Sequence, residues 1–206
     1  MSEQIFFGKW ANLQDVTDLA VMQLIDTNVR DAKDFKPCPP KYFSIIGERD
    51  KKLKVLDFGC GIGRNLVGMA KYAPAWEIHG YDNAAMLARA EIYLKENLRD
   101  KERNQIVLFN EWDSTAKAAS YDCIFCCLVL QHLPAELLTQ RLAEFAALSE
   151  WLVVIGRRTL DDLVTPVAKF LEKNFKIVKD EIISQHVPAY DEHRFTLLKV
   201  TKEKHV

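Results

Sequence analysis

The run Lys54-Val55-Leu56-Asp57-Phe58-Gly59-Cys60-Gly61-Ile62-Gly63-Arg64-Asn65 constrains the fold more than any other part of the chain. An apolar stretch enters a turn with glycine at three alternate positions, and a helix-compatible segment follows. Glycine takes left-handed backbone angles readily and carries no Cβ to hold a ligand off. Such a turn also aims the free N–H groups of a helix N-terminus at whatever lies above it. A plain β-to-α turn needs one glycine of this kind. Three of them, preceded by an acid at Asp57, predict a ligand cradle at the end of a buried strand.

Strand and helix signals alternate from there. Strands are expected over 53–58, 76–81, 105–109, 121–128 and 151–156, with helices over 63–72 and 83–98. Pro134 is expected in the first turn of a further helix, whose Leu137, Leu138, Leu142 and Phe145 share one face. Thr165-Pro166 has the form of a cap and first helical residue. Two last strands, about 175–183 and 194–201, follow each other with no helix between them and should pair antiparallel. Regular alternation predicts an α/β fold: a seven-stranded, mostly parallel, doubly wound (Rossmann-like) sheet with its last strand antiparallel. The apolar run 121–128 suits a central strand covered on both faces. Residues 1–50 are expected as a helical extension or lid, with helices over about 15–30 and 41–46 and a proline-bearing loop over 35–40. Residues 51–206 form the main domain.

The nearest competing loop is the dinucleotide fingerprint G-x-G-x-x-G. Here Arg64 stands where that fingerprint needs a small residue, the third glycine comes early at Gly63, and Asp57 precedes the loop. The D-x-G-x-G-x-G form after a strand instead resembles the loop of class I S-adenosylmethionine (SAM)-dependent methyltransferases. The resemblance covers about 53–133 by motif and the remainder by topology. It implies an enzyme that uses SAM, transfers a methyl group by direct displacement, leaves S-adenosylhomocysteine and needs no metal.

Ligands of open parallel sheets bind beyond the carboxyl ends of the strands. The residues at those ends are therefore the candidates. Gly59, Cys60, Gly61 and Gly63 form the cradle, and Asp57 either receives N–H groups of the turn or opposes the cationic amino group of the SAM tail. Asp82, 19 residues beyond Gly63, ends the second strand. Its ionised carboxylate accepts from two donors at once, as two ribose hydroxyls require. Asn83 beside it is the alternative helix cap. The resemblance places an acid near the adenine amino group after the third strand. Glu111 with Trp112 fits, Asp113 is the alternative acid, and a plain loop plugged by Trp112 is the competing reading.

Leu128-Val129-Leu130-Gln131-His132-Leu133-Pro134 resembles the L-x-H-L-P form of methyltransferases that act on small molecules. It differs from the Pro-Pro-aromatic signature of enzymes that methylate nucleic-acid amino groups. Leu128 then lines the cofactor and His132 lies near the methyl group. An imidazole there can take a proton from the acceptor or order the loop. Phe6, Phe7, Trp10 and Tyr42 are lid candidates, and His186, Tyr190 and His193 are candidates from the last hairpin.

A formal net charge of −1 and the absence of a dense Lys/Arg run argue against a nucleic-acid partner. No apolar run spans a bilayer, and Met1-Ser2-Glu3-Gln4 lacks the form of a signal peptide, so the expected address is the cytoplasm. Four of the five cysteines fall in expected core elements; none has the spacing of a metal site, and reduced, core-filling thiols are the better reading. Cys126 should face away from Cys123 and Cys127. The expected partner is a small-molecule acceptor; oligomeric state is not encoded in any motif. Two other functions remain open at this point: an NAD(P)-dependent oxidoreductase, and a catalytically silent methyltransferase-like subunit.

Overall fold

Five strands carry the parallel part of the sheet: β1 (Lys54–Phe58), β2 (Glu77–Tyr81), β3 (Ile106–Phe109), β4 (Tyr121–Cys127) and β5 (Ser149–Arg157). They come from a computed structural model that describes residues 18–25, 30–31, 36–38, 40–116, 119–157, 173–183 and 193–200. With β6 (Phe175–Ile183) and β7 (His193–Val200) the order is β3-β2-β1-β4-β5-β7-β6, and β7 runs antiparallel to both its neighbours. The expected seven-stranded architecture is therefore present. From β1 the chain winds outward to β2 and β3 on one side, then returns to β4 and β5 on the other. The end of β1 is thus the point where chain order reverses, where open sheets of this kind leave a crevice.

The helices are α1 (Asp18–Ile25), α2 (Pro40–Ser44), α3 (Arg64–Tyr72), α4 (Ala84–Asn97), α5 (Asp100–Arg103) and α6 (Ala135–Leu148). Alternate strand residues feed two separate cores, as the pleat requires. Val55, Ile78, Cys123, Phe125 and Val153 pack with Leu66 and Met69 of α3 on one face. Leu56, Phe58, Ile124, Cys126 and Leu152 pack with Leu138, Leu142 and Phe145 of α6 on the other. Cys126 does oppose the face of Cys123. Tyr42 and Phe43 of α2 are fully buried in the first core. Tyr42, expected as a lid candidate, is thus a core residue.

Several boundaries differ from expectation for local reasons. Pro40 starts α2 rather than ending a loop, since its missing N–H costs nothing at a first helical position. Pro134 sits one residue outside α6 with extended ψ (146°), so Ala135 begins the helix. The expected helix near 165–171 and the candidates Phe6, Phe7, Trp10, His186 and Tyr190 lie outside the described residues, as does the side chain of His193.

Candidate cofactor site

The turn after β1 uses left-handed angles at all three glycines, with φ of 73° at Gly59, 58° at Gly61 and 87° at Gly63. Backbone hydrogen bonds pin it to the end of β2: Gly59 and Cys60 N–H donate to the Tyr81 carbonyl at 2.8 and 3.0 Å. Gly63 then stands as the N-cap of α3, which no side chain caps. At Gly59 the missing Cβ matters twice, because a methyl there would lie 2.4 Å from Val129 Cγ2. The loop after β4 closes on the turn only because position 59 is glycine.

Asp82 stands where β2 ends and accepts three hydrogen bonds. Gly61 N–H reaches Oδ2 at 2.7 Å, while Asn83 N–H and Nδ2 reach Oδ1 at 2.7 and 3.0 Å. Asn83 itself caps α4, its Oδ1 accepting from Met86 N–H at 3.0 Å. The cap expected of Asn83 is therefore there, and Asp82 orders the glycine turn. Burial pushes the Asp82 carboxyl up from its ordinary 3.8 to about 6, against the pull of the Asn83 and Gly61 N–H groups.

The stability consequence has a definite sign. A carboxyl whose folded value is raised favours folding most when protonated in both states, and that advantage fades as pH rises from about 4 to about 6. Asp82→Asn should remove this loss. Relative to wild type, the variant should gain about 2 kcal/mol of unfolding free energy between about pH 4 and 7, in urea titrations of the free protein. An equal difference at both pH values would show that Asp82 titrates as an ordinary carboxylate.

Asp57 is buried, with 1% of its surface exposed, and among the described residues its Oδ2 has no hydrogen-bond partner. Desolvation raises its carboxyl well above the usual range, helped by the nearby Cys127 and Asp82 and opposed by Arg64. A buried carboxylate oxygen without a donor is costly. Beside a turn built from left-handed glycines, it suits the addition of a cationic or N–H donor group. The residues present fit SAM chemically in two respects. The buried carboxyl of Asp57 suits a cationic amino-acid tail, and the left-handed turn carries no Cβ at Gly61. A Cβ at Gly59 would instead face Val129, and one at Gly63 the α4 residues Ala90 and Leu94.

Beyond β4 the backbone is strained. Leu128 has φ of 60°, the only positive value at a non-glycine among the described residues, and its N–H donates to Ile155 C=O at 2.7 Å. Such outliers cost about 1–3 kcal/mol and gather at ligand sites. A single 3₁₀ turn, Leu130–His132, follows, closed by His132 N–H to Val129 C=O at 2.9 Å. The His132 side chain is exposed at the carboxyl end of the sheet.

The segment after β3 departs from expectation at Trp112. Glu111 and Asp113 are exposed, but Trp112 has 1% of its surface exposed within a wide helical turn, Trp112–Ala116. Its ring meets Phe58 and Tyr81 edge-on, each at 5.1 Å between centroids. Its indole N–H donates to Glu144 at 2.8 Å, and the Arg141 guanidinium lies 4.7 Å over its ring. The ring therefore has no free face for a ligand. Trp112 is the plug of the α6-side core, because a large amphipathic ring found both an apolar slot and an acceptor for its N–H.

Three features gave no sequence signal: the strain at Leu128, the Gly59–Val129 contact, and the role of Asn65. That last residue is buried and accepts from Cys38 N–H at 3.1 Å, tying the segment before α2 to α3.

Residues 56–151 match the sequence profile of a family described as a methyltransferase domain. No curated protein sequence matches the chain. Among solved structures, the chain resembles magnesium protoporphyrin IX methyltransferase from Synechocystis with bound SAM. That match has 20% identity and a TM-score of 0.63, over 95% of this chain and 91% of that one. A SAM-dependent methyltransferase from Aquifex aeolicus matches with 14% identity and a TM-score of 0.63, over 90% and 100% of the two chains. A glycopeptide N-methyltransferase complexed with SAM matches with 9% identity and a TM-score of 0.64, over 79% and 92%. Identities this low speak for the fold, and the matched domain speaks for the chemistry. Residues 56–151 are a methyltransferase domain, and the chain around them carries the class I SAM-dependent methyltransferase fold.

Proposed function

We propose that the protein methylates a small-molecule acceptor by direct displacement, with its cofactor held at the end of β1. The observation that carries this reading is the meeting of three unusual features there. They are the unpartnered buried oxygen of Asp57, the left-handed glycine turn, and the raised carboxyl of Asp82 bonded to that turn. Gly61 supplies the close backbone approach, and Gly59, Cys60 and Gly63 hold the turn around it. Asp57 faces the ammonium of the amino-acid tail, Asp82 and Asn83 the ribose, Glu111 the adenine amino group, and Leu128 forms a wall. When bound, SAM supplies a methyl group already activated by its sulfonium.

The chain then has little covalent work to do. It aligns the acceptor, which alone accounts for much of such a rate, and it removes a proton where the acceptor carries one. His132, exposed on the rim beyond β4, is the group we assign to that proton. Acceptor choice belongs to residues 1–50, taken as a lid, and to the loops after β4, β5 and β6. The acceptors named for two structural neighbours, a porphyrin and a glycopeptide, suit a small-molecule reading. Among the described residues no helix is long and apolar enough to cross a membrane. Screening for S-adenosylhomocysteine release against a panel of amine, hydroxyl and carboxylic-acid metabolites tests the proposal. Turnover of a folded protein or RNA with none of any small molecule would overturn it.

Asp57 adds a second test. A cation placed beside a carboxyl that burial holds above its usual range should drive off its proton. Binding of SAM should therefore release a proton wherever the free protein still holds one on Asp57, followed across a pH series above the value for Asp82. Calorimetry in two buffers of different ionisation heat measures it, and Asp57→Asn should lower the release. Identical buffer dependence in the two proteins would place Asp57 away from the ammonium.

A further inference from the structure

The five cysteines divide into two sets. Cys60, Cys123 and Cys126 are buried, whereas Cys38 and Cys127 are partly exposed and their sulfurs lie 4.0 Å apart, 89 residues apart in sequence. Both are firmly seated. Cys127 is the last residue of β4, and Cys38 is held by its N–H bond to the buried Asn65 of α3. Its neighbour Pro37 presses on α3 so closely that a Cβ at Gly68 would come within 2.7 Å of it. A disulfide needs sulfurs about 2.05 Å apart. The remaining gap is about 2 Å, a distance of the order that rotation about a cysteine χ1 moves its sulfur.

We propose that Cys38 and Cys127 are a reversible disulfide site. The surroundings favour Cys127 as the attacking thiol and Cys38 as the resolving one. The Cys38 thiol and the Arg64 guanidinium lower Cys127 below the usual thiol value, and the same contact together with burial raises Cys38. The thiolate is the nucleophile in exchange, so the cysteine nearer to ionisation at neutral pH attacks first.

With a low-molecular-weight disulfide such as glutathione disulfide as oxidant, the step balances. The Cys127 thiolate attacks one glutathione sulfur, its S–S bond breaks, and one glutathione leaves as thiolate. The Cys38 sulfur, losing its proton, then attacks the Cys127 sulfur of the mixed disulfide and expels the second glutathione. Two protein thiols are oxidised by two electrons, one glutathione disulfide becomes two glutathiones, and the two cysteine protons end on them. The bond would staple the segment before α2 to the end of β4, on the sheet face that holds Asp57.

Thiol counting and peptide mapping of the full chain after incubation in excess glutathione disulfide test this, and neither needs a cofactor. Two of the five thiols should disappear, a Cys38–Cys127 cross-linked peptide should form, and dithiothreitol should restore both. Cys38→Ser should keep glutathione on Cys127, whereas Cys127→Ser should leave Cys38 unmodified. Five persistent thiols in the folded wild type, or a bridge to Cys60, Cys123 or Cys126, would overturn the site. The reverse pattern in the two variants would overturn the assigned roles. Because the wild-type result stands alone, a variant that fails to fold does not protect the proposal.

Discussion

Gly61→Val is expected to weaken SAM binding by at least about 100-fold, roughly 2.7 kcal/mol, in a protein that remains folded. Gly61 sits at φ 58° between the turn that ends β1 and the N-terminus of α3, and its N–H bonds Asp82. A side chain added there projects from the cradle into the space the cofactor should fill. The backbone cost of a left-handed non-glycine residue is about 1–2 kcal/mol, a fraction of the 5–15 kcal/mol typical of a domain. Gly61→Ala carries the left-handed cost without valine's β-branching and adds a single methyl group, so it shows how much of the loss one Cβ causes. Titration calorimetry beside near-UV circular dichroism reads both. Wild-type affinity in a folded Gly61→Val protein would move the cofactor away from this turn.

His132→Ala should lower kcat by about 10²–10⁴-fold with SAM affinity nearly intact, the range for loss of a general base. The wild-type rate should also fall on acidification as the imidazole takes up a proton, and the variant should lack that limb. The reason is position: His132 ends the 3₁₀ turn that follows β4 and is exposed at the carboxyl end of the sheet. Its backbone N–H already serves the turn, so alanine leaves that hydrogen bond in place. A near-normal rate per folded molecule, with a lowered melting temperature, would make His132 a loop-ordering residue.

The parts of the fold legible in the sequence were those with strong periodicity or hard backbone constraints. The five parallel strands and the closing antiparallel pair followed from apolar runs of the right length, and the glycine turn from angles few other residues adopt. The cap at Asn83 was also readable, since its side chain acts within three residues. Trp112 was legible only as two alternatives, a neighbour of the adenine or a plug. Its contacts with Phe58, Tyr81 and Glu144, which decide for the plug, span 31 to 54 residues of sequence and leave no local trace. The cysteines failed for the same reason: periodicity gave Cys127 its face of the sheet, while only the tertiary fold brings Cys38 to it. For Asp57 the sequence left open a choice between turn donors and a cation; among the described residues its Oδ2 has no hydrogen-bond partner, which supports the cation proposed above.

The most direct measurement is a thermal-unfolding panel of the wild-type protein with SAM, S-adenosylhomocysteine, NADH and NADPH. A ligand that binds only the folded state stabilises it by about 2.7 kcal/mol at 100 times its Kd. SAM and S-adenosylhomocysteine should raise the melting temperature in a saturable way, and the nicotinamide cofactors should leave it unchanged. Stabilisation by NADH or NADPH alone, or none by SAM and S-adenosylhomocysteine at millimolar concentration, would contradict the account.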